Sequence, residues 1–404
     1  MRYRAALPPL VQRIVLARAV RGFADGCVSV LLPAHLLALG HDAFAVGAIS
    51  TATLVGSALL TLAIGLGARR LPVRGVLLAG SLLMAGTGVG FAGLREFTPL
   101  LIVAFVGTLN PSSGDVSLFL PLEHALLARL APEARRTELF ARYATAGALA
   151  AALGALAAGL PDLLARLDFV PHAAGIRAGF GLYVLAGLVL AGLYQGLRLP
   201  PEPVGSVPSA ALGPSRGRVL GLAALFSLDA FGGGLVVQSL LALWLFQRFG
   251  VSLGDASLLF FFTGLGAAFS QLAAPALARR IGLLRTMVLP HLLANACLVA
   301  VPFAPSLPLA LLLLALRSLL SSLDVPARSA YVMTIVTPPE RAAAASVTSV
   351  PRSLAAAAGP ALAGGLLATT SFGWPLLLAG LLKGGYDLLL YASFRRVRPP
   401  LRAQ

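Results

Sequence analysis

Residues 43–66 read Ala-Phe-Ala-Val-Gly-Ala-Ile-Ser-Thr-Ala-Thr-Leu-Val-Gly-Ser-Ala-Leu-Leu-Thr-Leu-Ala-Ile-Gly-Leu, without one charged side chain. A helix needs about 20 predominantly apolar residues to cross the hydrocarbon core of a bilayer. This run meets that length. It is closed on one side by His41-Asp42 and on the other by Arg69-Arg70. It is too long and too unbroken for an alternating barrel strand, and only helices or closed barrels satisfy their backbone groups in lipid.

The same texture extends over the chain. Runs of this kind occupy 14–38, 43–66, 73–94, 98–124, 138–160, 175–197, 218–246, 254–278, 284–303, 307–334, 342–369 and 373–394. The sequence therefore predicts an all-α integral membrane protein with twelve transmembrane helices. Composition agrees: of 404 residues 58% are hydrophobic and 11% charged, with a mean hydropathy of +0.88. A soluble domain carries about 25% charged residues, so a soluble enzyme and a disordered chain are both excluded. The first run is too long and too charged for a cleaved signal peptide.

The formal net charge is +16, and every basic residue except Lys383 is an arginine. In a soluble protein such a balance would suggest nucleic acid. Here the arginines cluster between apolar runs, where cytoplasmic loops collect them. With the N-terminus inside, the inside segments hold Arg2, Arg4, Arg13, Arg69, Arg70, Arg74, Arg129, Arg135, Arg136, Arg198, Arg216, Arg218, Arg279, Arg280, Arg285, Arg341 and the arginines after 394. The outside loops hold only Arg95, Arg166, Arg177 and Arg248. Both termini are thus expected in the cytoplasm of a bacterial inner membrane, with no nucleic-acid partner.

The segment 198–217 is rich in Pro, Ser and Gly and reads as a cytoplasmic linker. It separates a six-helix half, 1–197, from a second, 218–404. The halves repeat each other in order. Asp25 and Leu36-Leu37-Ala38-Leu39 return as Asp229 and Leu240-Leu241-Ala242-Leu243. Ala68-Arg69-Arg70 returns as Ala278-Arg279-Arg280, and Ser112-Ser113-Gly114-Asp115-Val116 as Ser321-Ser322-Leu323-Asp324-Val325. Gly154 and Gly159 return as Gly359 and Gly364. Nearly constant spacing across five matches points to an internal duplication, the parallel-repeat plan of two-bundle secondary transporters.

With these repeats, the loop Gly65-Leu-Gly-Ala-Arg69-Arg70-Leu-Pro72-Val-Arg74 resembles the signature between helices two and three of the major facilitator superfamily. Arg69 replaces the usual Asp and Pro72 the usual Gly. The second copy, Arg279-Arg280-Ile-Gly282-Leu-Leu-Arg285, keeps the Gly and also lacks the Asp. Gly359-Pro360-Ala-Leu-Ala-Gly364-Gly365 is similar to the Gly-Pro-rich helix of antiporters in that family. The resemblance covers nearly the whole chain. It implies two pseudo-symmetric six-helix bundles and alternating access for a small solute, with helices one, four, seven and ten lining the cavity.

Charge inside a bilayer costs roughly 2.5–3.5 kcal/mol on insertion scales, so intramembrane ionisable groups are the first functional candidates. Asp25, Asp115, Asp229 and Asp324 form a symmetry-matched set of acids for proton or solute binding. Arg21 lies one turn from Asp25, on the same helical face. Gln238, in helix seven, is a further cavity candidate. Arg69, Arg70, Arg74 and Glu123, with Arg279, Arg280 and Arg285, are candidates for an ion-paired cytoplasmic gate. Lys383 and Asp387, also one turn apart, are expected to neutralise each other within helix twelve. His35, His291 and Asn295 are expected as satisfied polar groups.

No Walker loop, zinc-protease motif or nucleophile elbow occurs, so neither catalysis, a cofactor nor a metal site is expected. The reading is a monomeric, proton-coupled secondary transporter, with efflux favoured over uptake. A membrane receptor or scaffold that binds a small ligand without moving it is the alternative.

Overall fold

The computed structural model describes residues 9–67, 72–112, 117–130, 133–197, 213–337 and 340–396. Among them no strand occurs, and sixteen α-helices carry the chain. They are α1 (Pro9–Ala38), α2 (Ala43–Gly67), α3 (Val73–Gly93), α4 (Phe97–Val106), α5 (Phe119–Leu130), α6 (Glu133–Ala157), α7 (Leu160–Arg166) and α8 (His172–Gln195). The second half adds α9 (Arg216–Gly234), α10 (Gln238–Phe249), α11 (Leu253–Ile281), α12 (Leu283–Ala300), α13 (Leu307–Ser321), α14 (Asp324–Ile335), α15 (Arg341–Thr369) and α16 (Trp374–Phe394). Among the described residues, nine stretches are long and apolar enough to cross a membrane.

The twelve apolar runs of the sequence all fold as helix, but three of them are interrupted. The fourth run carries α4, which ends at Val106, and α5, which begins at Phe119. The seventh divides into α9 and α10 at Leu235–Val237, and the tenth into α13 and α14 at Ser322–Leu323. A helix end leaves backbone N–H and C=O groups without intrahelical partners, and inside a membrane such ends persist only where protein or a polar cavity satisfies them. The interruptions fall beside Asn110, Gln238 and Asp324, three of the polar residues in these runs.

The chain forms two compact units. One comprises 1–41, 56–202 and 252–261; the other comprises 42–55, 203–251 and 262–404. Each takes its main helices from one half of the sequence and a short segment from the other. In the first unit α1 packs along α6 and α8, and α3 packs on α8. In the second, α9 packs along α15 and α16, and α12 packs on α16, α13 and α14. The pairs α1–α6 and α9–α15 match under the sequence repeat, as do α3–α8 and α12–α16. The duplication read from the sequence is therefore also a duplication of packing.

Small residues set those crossings. A Cβ on Gly26 of α1 would stand 2.0 Å from the carbonyl oxygen of Ala151 on α6. A Cβ on Gly359 of α15 would stand 2.4 Å from the carbonyl carbon of Gly234 on α9. Without a strong hydrophobic drive between helices in lipid, such backbone-to-backbone approach supplies the packing. In the second unit, Val219, Leu222, Phe226, Met287, Tyr386 and Leu390 share one buried cluster at the level below that crossing.

Candidate functional site

The second unit buries a chain of ionisable groups between α9, α12, α14 and α16. Asp229, on α9, is its centre. The Lys383 ammonium on α16 donates to Asp229 Oδ1 at 2.5 Å and lies 3.3 Å from the Asp229 backbone oxygen. Arg328, on α14, donates to Asp229 Oδ2 at 3.0 Å and reaches Asp324 Oδ2 at 3.2 Å. The same guanidinium lies over the Phe226 ring, 5.6 Å from its centroid. Asp324 stands in the first turn of α14, where the positive end of the helix dipole favours a carboxylate. His291, on α12, bridges two acids. Its Nε2 is 3.7 Å from Asp229 Oδ1, and its Nδ1 is 2.8 Å from Asp387 Oδ1. Asn295, one turn along α12, donates to Asp387 Oδ2 at 2.8 Å.

This arrangement replaces the expected Lys383–Asp387 pair. Both residues lie on α16, but Lys383 is held by Asp229 of α9 and Asp387 by His291 and Asn295 of α12. The reason is burial from two sides. Each charge faces a different neighbouring helix, and a partner there satisfies it without bending the long side chains along their own helix. Sequence reasoning undervalued His291 and Asn295. Their spacing of one turn in an apolar helix was the available signal.

The first unit has a smaller network. Arg21 pairs with Glu123 Oε2 at 2.9 Å and donates to the Tyr143 hydroxyl at 3.0 Å. Tyr143 and Tyr194 donate to the two oxygens of Glu123 at 2.5 and 2.6 Å. The Arg21 guanidinium lies 4.9 Å from the Phe119 ring centroid. Glu123 is thus fully buried against Arg21 rather than presented to the basic loop after α2. Asp25 is also buried, and it interacts with the hydroxyl of Tyr183, which donates to the Thr108 backbone oxygen at 2.8 Å. Arg21 and Asp25 share a helix but are held by different neighbours.

The remaining candidates are dispersed. Asp115, Arg69 and Arg70 lie outside the described residues. Arg74, Arg279, Arg280 and Arg285 are exposed at helix ends. Gln238 is half-buried at the start of α10, directly after the interruption. Among the described residues, no group of acidic, His or Cys side chains has the spacing to hold a metal ion.

The description of the Major Facilitator Superfamily matches this chain over residues 14–299 and again over 220–404. The chain belongs to the major facilitator superfamily. The two overlapping matches span both repeats. Among curated proteins, a membrane protein of Saccharomyces cerevisiae, YJR124C, itself uncharacterized, is 26% identical over 94% of this chain and 92% of its own length. Among solved structures, a bacterial homolog of the human lysosomal transporter Spinster superimposes with a TM-score of 0.72 at 16% identity, covering 97% of this chain and 98% of that one. A D-xylose-proton symporter gives 0.71 at 15% identity, covering 98% and 99%. The human organic anion transporter MFSD10 gives 0.62 at 21% identity, covering 95% and 100%. These likenesses show the fold; with the family match, the chain is a multi-pass helical membrane protein of a transporter superfamily, which is not an enzyme class.

Proposed function

We propose that this superfamily member is a secondary active transporter that moves a small organic solute by alternating access, coupled to protons and running outward. In this reading 1–197 and 218–404 are its two bundles, 198–217 the cytoplasmic linker, and the inner membrane of a bacterium its location. It works as a monomer with both termini in the cytoplasm. Arg69, Arg70 and Arg74, with Arg279, Arg280 and Arg285, serve the cytoplasmic gate.

The observation that carries the reading is the cluster around Asp229. Buried charge is costly, and a purely structural role could be filled by apolar packing at lower cost. Here three ionisable side chains from three helices, Asp229, His291 and Asp387, stand in one buried chain of contacts. Asp25 and Asp115 are the first-repeat counterparts of Asp229 and Asp324.

The test is flux in proteoliposomes, with and without an imposed pH gradient, over a library of small solutes. A gradient should accelerate net movement. Asp25→Asn and Asp115→Asn should both give folded protein, and at least one should abolish gradient-driven flux while solute exchange continues. Wild-type rates for both across the pH range would refute coupling through these acids. Ligand binding without flux would favour the receptor reading. Labelling of a Ser206→Cys variant in intact cells by an impermeant reagent would overturn the orientation.

A further inference from the structure

Three helix ends meet at one corner of the first unit. The described part of α1 begins there at Pro9, α3 begins at Val73, and α8 finishes at Gln195. Both α1 and α3 pack on α8. Between these ends lies a cavity of about 630 Å³, lined by Pro9, Leu10, Arg13, Arg74, Gln195 and Gly196. That volume falls within the ~300–1,000 Å³ of small-molecule sites. None of the lining side chains is acidic.

The sequence explains how the corner is built. Gly196 follows the last turn of α8 and has no side chain to fill the space beside it. The Arg13 guanidinium occupies that room. It donates from Nη1 to the Gly196 carbonyl oxygen at 2.5 Å, and a Cβ on Gly196 would stand 2.4 Å from the same nitrogen. A basic side chain at a helix C-terminus satisfies carbonyls that the helix itself leaves open. The bond also fixes the guanidinium at the cavity wall, and a guanidinium has five N–H donors, so further donors are available to a ligand. Arg74 stands in the first turn of α3, whose N-terminus no side chain caps. It is exposed and makes no ion pair among the described residues. Two cations and an uncapped helix N-terminus thus border one cavity, and each favours an anion, phosphate above all.

The apolar surroundings say which source of phosphate fits. Leu16 follows Arg13 by one turn, Leu82 follows Arg74 by two turns, and Leu188 precedes Gln195 by two turns. All three leucines are exposed. Away from the cavity, each of the three helices therefore presents open apolar surface within about 10 Å of helix rise. A free phosphate would use the arginines alone, whereas a phospholipid uses the arginines and the leucines together. Basic pockets between helices at the inner membrane surface hold acidic headgroups, and in the orientation proposed above this corner is on the cytoplasmic side. In the sequence Arg2, Arg4, Arg69, Arg70 and Arg198 adjoin the three lining segments; they lie outside the described residues.

We infer that this cavity binds an anionic phospholipid, its phosphate held by Arg13 and Arg74 and its acyl chains lying on the exposed leucines of α1, α3 and α8. A lipid there ties three helix ends of the first unit together. It is a component of the surrounding membrane and not the transported solute, so the inference goes beyond the transporter reading and stands independently of it.

The test uses purified full-length protein, delipidated in a neutral detergent. Native mass spectrometry counts bound lipid, and the unfolding midpoint is read as dioleoyl-phosphatidylglycerol, dioleoyl-phosphatidylcholine or inorganic phosphate is added. Phosphatidylglycerol should bind and raise the midpoint, because a ligand of the folded state stabilises it. Phosphatidylcholine, with the same chains and no net charge, and inorganic phosphate should not do so at equal concentration. Arg74→Gln, which breaks no ion pair among the described residues, should weaken the apparent Kd for phosphatidylglycerol about fivefold, the share of one basic residue at an acidic lipid surface. Arg13→Gln should weaken it at least as much, and Arg74→Gln guards against reading the lost Gly196 bond as lost lipid binding. Arg216→Gln, which removes an exposed arginine of the second unit, should leave the affinity unchanged. Equal stabilisation by phosphatidylcholine or by phosphate, or undiminished affinity in Arg74→Gln, would overturn the inference. So would the same loss in Arg216→Gln, by showing attraction spread over the whole basic surface.

Discussion

Replacing Asp229 and Lys383 singly and together tests whether the ion-pair cluster is a coupled unit. Asp229→Asn keeps the shape and removes the charge. It leaves Lys383, 2.5 Å away, and Arg328, 3.0 Å away, facing a neutral amide. Breaking a buried pair by removing one partner costs about 3–5 kcal/mol, because the stranded charge stays desolvated. Lys383→Met keeps the length of the side chain. It leaves Asp229 paired with Arg328, so the loss is that of one charge-assisted hydrogen bond, about 1.5–3 kcal/mol. In the double variant Arg328 still reaches Asp324, and no cation is left opposite an amide except through Arg328. The double loss should therefore fall short of the sum by about 2 kcal/mol, near the upper part of the range for contacting residues. For a unit of this size about 1 kcal/mol moves the midpoint by roughly 2–4 °C, so the shortfall is about 4–8 °C. Heat or denaturant unfolding of the four proteins in detergent reads it directly. Additivity within about 0.5 kcal/mol would refute the description of Asp229 and Lys383 as one interacting pair.

Three other expectations follow from particular contacts. Glu340 accepts from the Gly213 amide at 2.6 Å, Ser215 Oγ at 2.7 Å and Thr337 Oγ1 at 2.5 Å, and these bonds, that from Thr337 foremost, hold its carboxyl down from 4.5 to about 2. Because the folded value is depressed, its contribution is complete above pH 4.5 and disappears as pH falls toward 2. The midpoint difference between wild type and Glu340→Gln should accordingly be flat from neutral pH to about 5 and shrink below that; a difference growing toward acid pH would contradict the sign. Gly359→Ala should cost about 1–3 kcal/mol by forcing α9 and α15 apart, read as a lowered unfolding midpoint, since the nearest atoms are backbone and cannot rotate away. Glu123→Gln should destabilise the first unit by about 3–5 kcal/mol, whereas Arg74→Gln should leave stability within about 0.5 kcal/mol; equal effects would place Glu123 at the exposed gate instead of in the Arg21 pair.

The candidate site was legible in part. Asp25, Asp229 and Asp324 stand out in sequence because a charge in an apolar run is costly, and the structure buries all three. Their partners were not legible. Lys383 and Asp387 look like a pair because one turn separates them, but which way a side chain leans depends on the helix packed against it. Glu123 reads as a cytoplasmic helix end, and only the convergence of α1, α5, α6 and α8 brings Arg21, Tyr143 and Tyr194 onto it.

What the sequence alone determined is the class of protein: an all-helical membrane chain of twelve apolar runs, and the duplication that pairs them. Those follow from local composition and period, because lipid leaves the backbone almost no alternative to helix and each apolar run must be long enough to cross. The tertiary structure decided where the runs break and which charges meet. Those outcomes depend on contacts between residues far apart in the chain, such as Asp229 with Lys383, and on backbone approach at Gly234 and Gly359 that brings their helices to one depth. A bilayer makes helix formation a local matter, but the pairing of buried charges is set by whichever helix faces them.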